Sequence, residues 1–266
     1  NNITSKGILD NQSGTAAKSS KVKSLKKALD VLEYFTVEQS EWGISELSAA
    51  TGLYKSNVYN ILATFESSGY VEKNSMNGKY RLGLNLLNKA HIISSYLTNF
   101  DIIHRALSEL SQEIPEIVYY GILNRKDVMY IDAVIPASVY VLRSINGMTA
   151  PLYCTGLGKA MLSMSSDDLV KNIMGSPSLK RFTDTTIVDY DEMKRELAAI
   201  RARGYAIDNM EHEYGVKCVA VPLLDFRGKL NGAISVSGPS LRFTDETIMK
   251  YASLLQKKAL ELKESL

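Results

Sequence analysis

A chain of 266 residues with 45% hydrophobic and 23% charged residues can bury a sizeable core and, at roughly 100–200 residues per domain, can form more than one domain. A net charge of only +2 excludes a protein that coats nucleic acid by bulk charge, so any DNA contact must be local and geometrically specific. The two cysteines, Cys154 and Cys218, are far apart and form no CxxC pair, and no apolar run approaches the ~18 residues that span a bilayer. The expectation is a cytoplasmic protein with reduced thiols, no signal peptide and no membrane partner.

Residues 1–22 are polar and poor in aromatics, which suits a disordered tail. Lys6, Lys18 and Lys21 against Asp10 make it locally basic, as a solvated tail or as an arm along DNA backbone. A first helix is expected over Ser24–Phe35, with Ser24 as N-cap and Leu25, Ala28, Leu29, Leu32 and Phe35 as its apolar stripe. Trp42-Gly43 breaks the chain. A second helix then starts with Ser45 as its cap and Ile44 and Ala49 as a weak hydrophobic staple. Gly52 suits a tight turn because glycine tolerates positive φ.

The third helix, to about Ser68, carries Val58, Ile61, Leu62 and Phe65 at i, i+3, i+4 and i+7. Its other face offers Ser56, Asn60, Ala63 and Thr64, flanked by Asn57 and Tyr59. Small polar side chains on the second helix of a helix-turn-helix are what reading a major groove requires. Gly69 ends the helix, and Tyr70–Leu82 reads as two short strands around an Asn77-Gly78 hairpin turn. The result is a winged helix-turn-helix over residues 23–83, with Lys73, Lys79 and Arg81 on the wing to meet phosphates. Residues 23–90 hold eight Lys/Arg against seven Asp/Glu, so their basic character is positional.

From Leu84 to about Ile114 the pattern is helical, with a break near Asn99. Residues 84–98 are expected to form a semi-rigid linker helix able to transmit orientation, and residues 99–266 a second domain. There, strands are expected at Ile117–Leu123, Val128–Val134 and Val139–Ile145, then a loop over Gly147–Leu157. Helices follow at Gly158–Met164, Asp167–Met174 and Tyr190–Arg203, the last with Asp189 and Glu192 as a capping box. Strands Lys217–Leu224 and Leu230–Ser237 precede a closing helix, Asp245–Lys263, capped by Thr244 and with Asp245 and Glu246 favourably placed for its dipole. This order describes an α+β domain with an antiparallel sheet.

Three stretches of this domain could carry chemistry. Ala150–Lys159 contains Gly156 and Gly158, whose amides could meet an anion or whose lack of side chain could simply serve a tight turn. It is not a Walker A loop, since Tyr153 and Ala160 stand where that pattern needs Gly and Ser or Thr. Asp208–Pro222 brings Asp208, Glu211, His212 and Glu213 up to a strand bearing Cys218. These are metal-ligand types at no established zinc spacing. Cys218 reads either as a buried small hydrophobe or as a nucleophile paired with His212. Ser235 and Ser237, at strand period two, share one sheet face and could line a polar pocket or face solvent. His91 and His104 lie in helical patterns as surface or interface residues, and no GxSxG elbow is present.

The chain resembles the IclR family of bacterial transcriptional regulators over roughly residues 23–262. The resemblance rests on SLKKALDVLEYF, ISELSAATGLYKSNVYNILATFESSGYVE, KYRLGLNLL, PLYCTGLGKAML, RGYAIDNMEHEYGVKCVAVP and AISVSGPSLRFT, in this order. It implies a winged helix-turn-helix, a linker helix and a GAF-like effector domain, with no cofactor, no metal and no catalysis. It also implies operator DNA and the protein itself as partners, as dimers or dimers of dimers. A small carboxylate, sugar acid or aromatic acid would control DNA affinity; many members are repressors and some activate. Carried onto this chain, the effector residues are Gly156, Leu157, Asp208, Cys218, Ser235 and Ser237. The subgroup resembled most is that of 2-keto-3-deoxygluconate and related sugar-acid regulators.

On the DNA side the expected contacts are Lys55, Ser56, Asn57, Tyr59, Asn60, Lys79 and Arg81. The family usually reads Lys-Ser-Thr-Val, then Tyr or His, then Arg. Here Asn60 replaces that Arg, which favours adenine over guanine at the base it meets. The alternative of another class is a small-molecule enzyme tethered to DNA that uses Cys218 or Asp208.

Overall fold

The computed structural model describes residues 21–96, 99–136, 147–177 and 179–266, and the chain divides into two units, residues 1–98 and 99–266. The expected strand Val139–Ile145 and residues 1–20 of the expected tail lie outside the described residues.

The first unit contains α1 (Lys23–Leu32), α2 (Ile44–Thr51), α3 (Lys55–Ser67), β1 (Val71–Lys73), β2 (Tyr80–Leu82) and α4 (Asn85–Tyr96). Its core is Val31, Phe35, Trp42, Leu47, Val58, Leu62, Val71 and Tyr80. Val58 and Leu62 are fully buried, worth roughly 1.5–3 kcal/mol each, and they anchor α3 by the face its periodicity foretold. Gly52 closes α2 at φ 73° and its N–H bonds Ser48 O, as its place in the turn requires.

Several local expectations are corrected. The N-cap of α1 is Val22, without a side-chain bond, rather than Ser24. That helix stops at Leu32 because Tyr34 and Phe35 turn back onto Val31 and Leu32 carbonyls. Within the expected stripe Leu25 and Leu29 are exposed and Phe35 is buried, while Val31, outside the stripe, is fully buried. The cap of α2 is Gly43, not Ser45: the Glu46 carboxylate accepts the Gly43 N–H at 2.8 Å. Trp42 does more than break the chain. It pairs with Tyr80 and donates its ring N–H to Tyr34 O at 2.7 Å. The wing turn is wider than a two-residue Asn-Gly hairpin: Asn74 N–H bonds Lys79 O and Gly78 N–H bonds Asn74 O. Asn74 and Asn77 side chains donate to Glu41, which holds the longer loop open.

The second unit runs α5 (Phe100–Glu113), β3 (Ile117–Asn124), β4 (Asp127–Val134), β5 (Thr149–Pro151), α6 (Gly156–Ser163), α7 (Asp167–Met174), α8 (Tyr190–Arg203), β6 (Ala206–Asn209), β7 (Val216–Leu224), β8 (Leu230–Pro239) and α9 (Asp245–Lys263). The sheet is antiparallel in the order β5-β4-β3-β8-β7-β6. Alternation along its strands feeds two cores. Val219, Val221, Ile234 and Val236 join α5 and α9. Ala206, Ala220 and Ala233 join α6, α7 and α8. Small residues on that second face leave room for α6 to come close.

The stretch Gly147–Leu157, expected as a loop, contains β5, a short 3-10 turn at Leu152–Cys154 and the start of α6. Strand β6 was not expected either. Both are only three or four residues long, too short for alternation to show. Thr244 accepts Thr247 N–H and Asp189 accepts Glu192 N–H, so the caps of α9 and α8 stand where the sequence put them.

Candidate functional site

A cavity of about 420 Å³ opens on the α6 face of the sheet, within the range of small-molecule pockets. Register builds its floor. Asp208 pairs with Cys218, Cys218 with Ser237, and Ser237 with Ile117, so four adjacent strands contribute one row of side chains. In the neighbouring row Ser235 stands opposite Tyr119. All six expected effector residues, Gly156, Leu157, Asp208, Cys218, Ser235 and Ser237, line this one cavity.

Helix α6 supplies the end wall. Thr155 caps it by accepting Gly158 N–H at 3.1 Å, and Gly156 and Leu157 form its first turn. First-turn amides have no intrahelical acceptor and carry the positive end of the helix dipole, so they favour an anion. The two glycines are needed for close approach. A Cβ on Gly158 would meet the Leu152 backbone at 2.1 Å, and one on Gly156 would meet Cys218 Sγ at 2.8 Å.

Sequence reasoning missed the two tyrosines of the wall. Tyr119 and Tyr130 line the cavity with their rings edge-on at 5.5 Å. Burial pushes the Tyr119 phenol up to about 12 and raises that of Tyr130 further, so both stay neutral donors. His212 also lines the cavity and lies 5.0 Å from Phe182. Burial lowers its pKa, partly offset by Glu213 and reinforced by Lys180, so the ring is uncharged at neutral pH. Alternation in Ile117–Leu123 could have flagged Tyr119. Met148 and Thr149 could be placed only once β5 was known.

Electrostatics sort the polar floor. Burial pushes Asp208 up to about 7, against the lowering effect of the Glu211 N–H; the Glu211 charge raises it and Lys159 lowers it. Cys218 is pushed up to about 12 by burial and then by Asp208. That makes it a poor nucleophile. Ser235 is 1% exposed and its hydroxyl has no well-formed hydrogen bond, only the weakly accepting Cys218 thiol beside it, which leaves a polar group ready for a ligand atom. No cluster of metal-ligating side chains occurs among the described residues.

In the first unit, Lys55, Ser56, Asn57, Tyr59 and Asn60 form the exposed face of α3. The wing cations are not free. Lys79 Nζ meets Glu46 Oε1 at 2.7 Å and Arg81 Nε meets Glu72 Oε1 at 2.6 Å, while Lys73 lies over the Tyr80 ring at 5.6 Å. A phosphate must therefore displace or share these carboxylates.

A helix-turn-helix with a β-wing, joined in one chain to an α/β unit with a polar-ended cavity, defines a DNA-binding regulator. Residues 24–75 match the IclR helix-turn-helix domain and residues 94–264 match the bacterial transcriptional regulator IclR C-terminal domain. The chain belongs to the IclR family of bacterial transcriptional regulators. It is 34% identical to the transcriptional regulator KdgR of Escherichia coli, over 91% of each chain. It is 29% identical to the transcriptional repressor IclR of Escherichia coli, over 93% of this chain and 91% of that one. The solved IclR of Thermotoga maritima superposes with a TM-score of 0.71 at 31% identity, over 92% of this chain and 98% of that one. These relatives are regulators, not enzymes. No helix among the described residues is long and apolar enough to cross a membrane.

Proposed function

We propose that this protein is a cytoplasmic repressor whose operator affinity is set by a small organic acid in the Gly156–Ser235 cavity, a sugar acid such as 2-keto-3-deoxygluconate. The observation that carries this reading is the cavity itself: helix amides at one end, Asp208 and the buried Ser235 hydroxyl on the floor, and tyrosine walls. A carboxylate suits the amides, hydroxyls suit Asp208 and Ser235, and the C–H faces of a sugar acid suit Tyr119 and Tyr130. The sugar-acid class follows the subgroup resemblance carried by PLYCTGLGK and SGPSLRF.

Lys55, Ser56, Asn57, Tyr59 and Asn60 are assigned to operator contact, with Lys79 and Arg81 on the flanking phosphates. Residues 23–83 are assigned to DNA, 84–98 to the connecting helix and 99–266 to the effector. The working form is a homodimer or a dimer of dimers. Exposed Leu84, Leu87, Ile92 and Ile93 near and along α4 supply apolar surface that a second copy would cover. A ligand shifts DNA affinity only through different affinities for two arrangements of the protein. Isothermal titration with sugar acids, glyoxylate, pyruvate and protocatechuate tests the class. Heat from a sugar acid supports it, and binding of protocatechuate alone sinks it.

A further inference from the structure

Lys159 is 1% exposed. Its ammonium contacts Glu211 Oε1, within the β6–β7 loop, and lies 3.7 Å from Glu196 Oε1 on α8. Glu196 in turn pairs with Arg203 at 2.7 Å. The second Glu211 oxygen has no partner. A buried ion pair of this kind is weak ground for stability, because desolvation offsets most of the attraction and an apolar pair of similar volume serves as well. Its location suggests a different use. Lys159 belongs to the helix whose first turn faces the cavity, three residues after Gly156. Glu211 belongs to the loop whose backbone N–H bonds Asp208 Oδ1 at 2.7 Å. That loop is held from its other side as well, since Thr186 Oγ1 donates to Glu211 O at 2.6 Å and Thr185 Oγ1 to Asn209 O at 2.9 Å.

We propose that the Lys159–Glu211 pair is the positioning unit of the effector cavity: it clamps the amide-bearing end of α6 to the β6–β7 loop, and so holds Asp208 at a fixed place and in a fixed field relative to those amides. Neither residue lines the cavity, so both act through Asp208 and the α6 amides rather than on a ligand. The titratable and charged groups facing Asp208 are Glu211 from the loop, Lys159 from α6, Cys218 from β7, Cys154 from the 3-10 turn and Tyr130 from β4, while His212 reaches it only through its backbone N–H. Of these, Glu211 and Lys159 are the charged pair. Removing the Glu211 charge takes away a negative group that raises Asp208 while Lys159, still beside Glu196, continues to lower it, which makes ionisation easier. This assignment rests on the effector reading of the cavity.

The test is a carbon-13 NMR titration of the Asp208 carboxyl in the full chain, without ligand, for the wild type and Glu211→Gln. The amide Gln keeps the shape and an oxygen for Lys159. Asp208 is expected to titrate near 7 in the wild type and lower in Glu211→Gln, with the Gly156 and Leu157 amide signals moving as well. An unmoved Asp208 and unmoved amides overturn the assignment. Should the variant fail to fold, the wild-type titration decides: the Glu211 carboxyl signal is expected to move as Asp208 ionises, and a Glu211 signal that stays still through that step overturns the proposal. Titration calorimetry with 2-keto-3-deoxygluconate and pyruvate is run on the same samples. A wild type that binds no acid defeats the effector reading, while the Asp208 shift still supports the positioning role. Binding that weakens in Glu211→Gln supports both.

Discussion

Asp208 and Glu211 are joined twice, once by attraction and once by repulsion. The Glu211 N–H donates to Asp208 Oδ1 at 2.7 Å, while the Glu211 carboxylate raises the Asp208 pKa by its charge. Burial, the largest cause, acts with the Glu211 charge against that N–H and holds Asp208 at about 7. Between the unfolded value of about 3.9 and that folded value, the native protein keeps a proton that the unfolded chain has released. The contribution to stability is therefore full at the acid end and is lost as pH rises to 7. Asp208→Asn removes this dependence. In urea unfolding at pH 5 and pH 8, the wild type should lose on the order of 2–3 kcal/mol more than the variant. Parallel losses would show that Asp208 ionises normally.

The approach of α6 to the rest of the cavity depends on two glycines of different tolerance. Gly158→Ala would drive a methyl into the Leu152 backbone at 2.1 Å, which cannot step aside, so a loss of about 3 kcal/mol or more is expected. Gly156→Ala meets a side chain, Cys218 Sγ at 2.8 Å. The double variant Gly156→Ala/Cys218→Ala should recover most of the loss caused by Gly156→Ala alone, whereas Cys218→Ala should not rescue Gly158→Ala. Thermal or chemical unfolding of the five proteins checks both statements, and equal costs for the two glycines would contradict them.

The wing offers a test of competition between carboxylates and phosphates. Glu46 holds Lys79 and also accepts the Gly43 N–H. Lys79→Ala should weaken binding to all DNA sequences alike and flatten the salt dependence. Glu46→Gln releases the lysine while preserving an acceptor for Gly43, so it should tighten binding and steepen the salt dependence. Asn60→Ala should act differently, relaxing preference at one base pair by about 1–3 kcal/mol. Binding-site selection with each variant distinguishes these outcomes, and an unchanged preference for Asn60→Ala would falsify direct readout by that residue.

Cys154 and Cys218 are both free and buried, and burial raises both thiols, that of Cys218 to about 12. Native protein at pH 8 should react with a thiol reagent far more slowly than denatured protein. Cys218→Ser should retain the response to ligand. Rapid native labelling, or turnover of a bound acid that Cys218→Ser abolishes, would restore the nucleophile.

Much of this was legible because it follows a period. Val58, Ile61, Leu62 and Phe65 mark one face of α3, and Ser235 and Ser237 mark one face of β8. Short elements left no such trace: β5 and β6 are placed by neighbours in the sheet rather than by their own pattern. Residues distant in sequence also stayed hidden. A lysine inside GLGKAML is the sole hint of a buried charge, and its partner Glu211 lies 52 positions away. In the same way Lys79 and Arg81 read as free phosphate ligands because Glu46 and Glu72 are brought to them by the fold. The six cavity residues were carried over by resemblance, and register explains why they meet: Asp208, Cys218 and Ser237 are successive partners across three strands.

The most direct test of the whole mechanism is operator affinity measured by fluorescence anisotropy against 2-keto-3-deoxygluconate concentration, with a duplex selected from random sequence. Wild-type protein should show an affinity that shifts with the acid and saturates. Ser235→Phe, which fills the cavity floor, should bind the same duplex without responding. An affinity that stays constant as the acid is raised, under conditions where calorimetry shows the acid bound, would contradict control of DNA binding from this cavity.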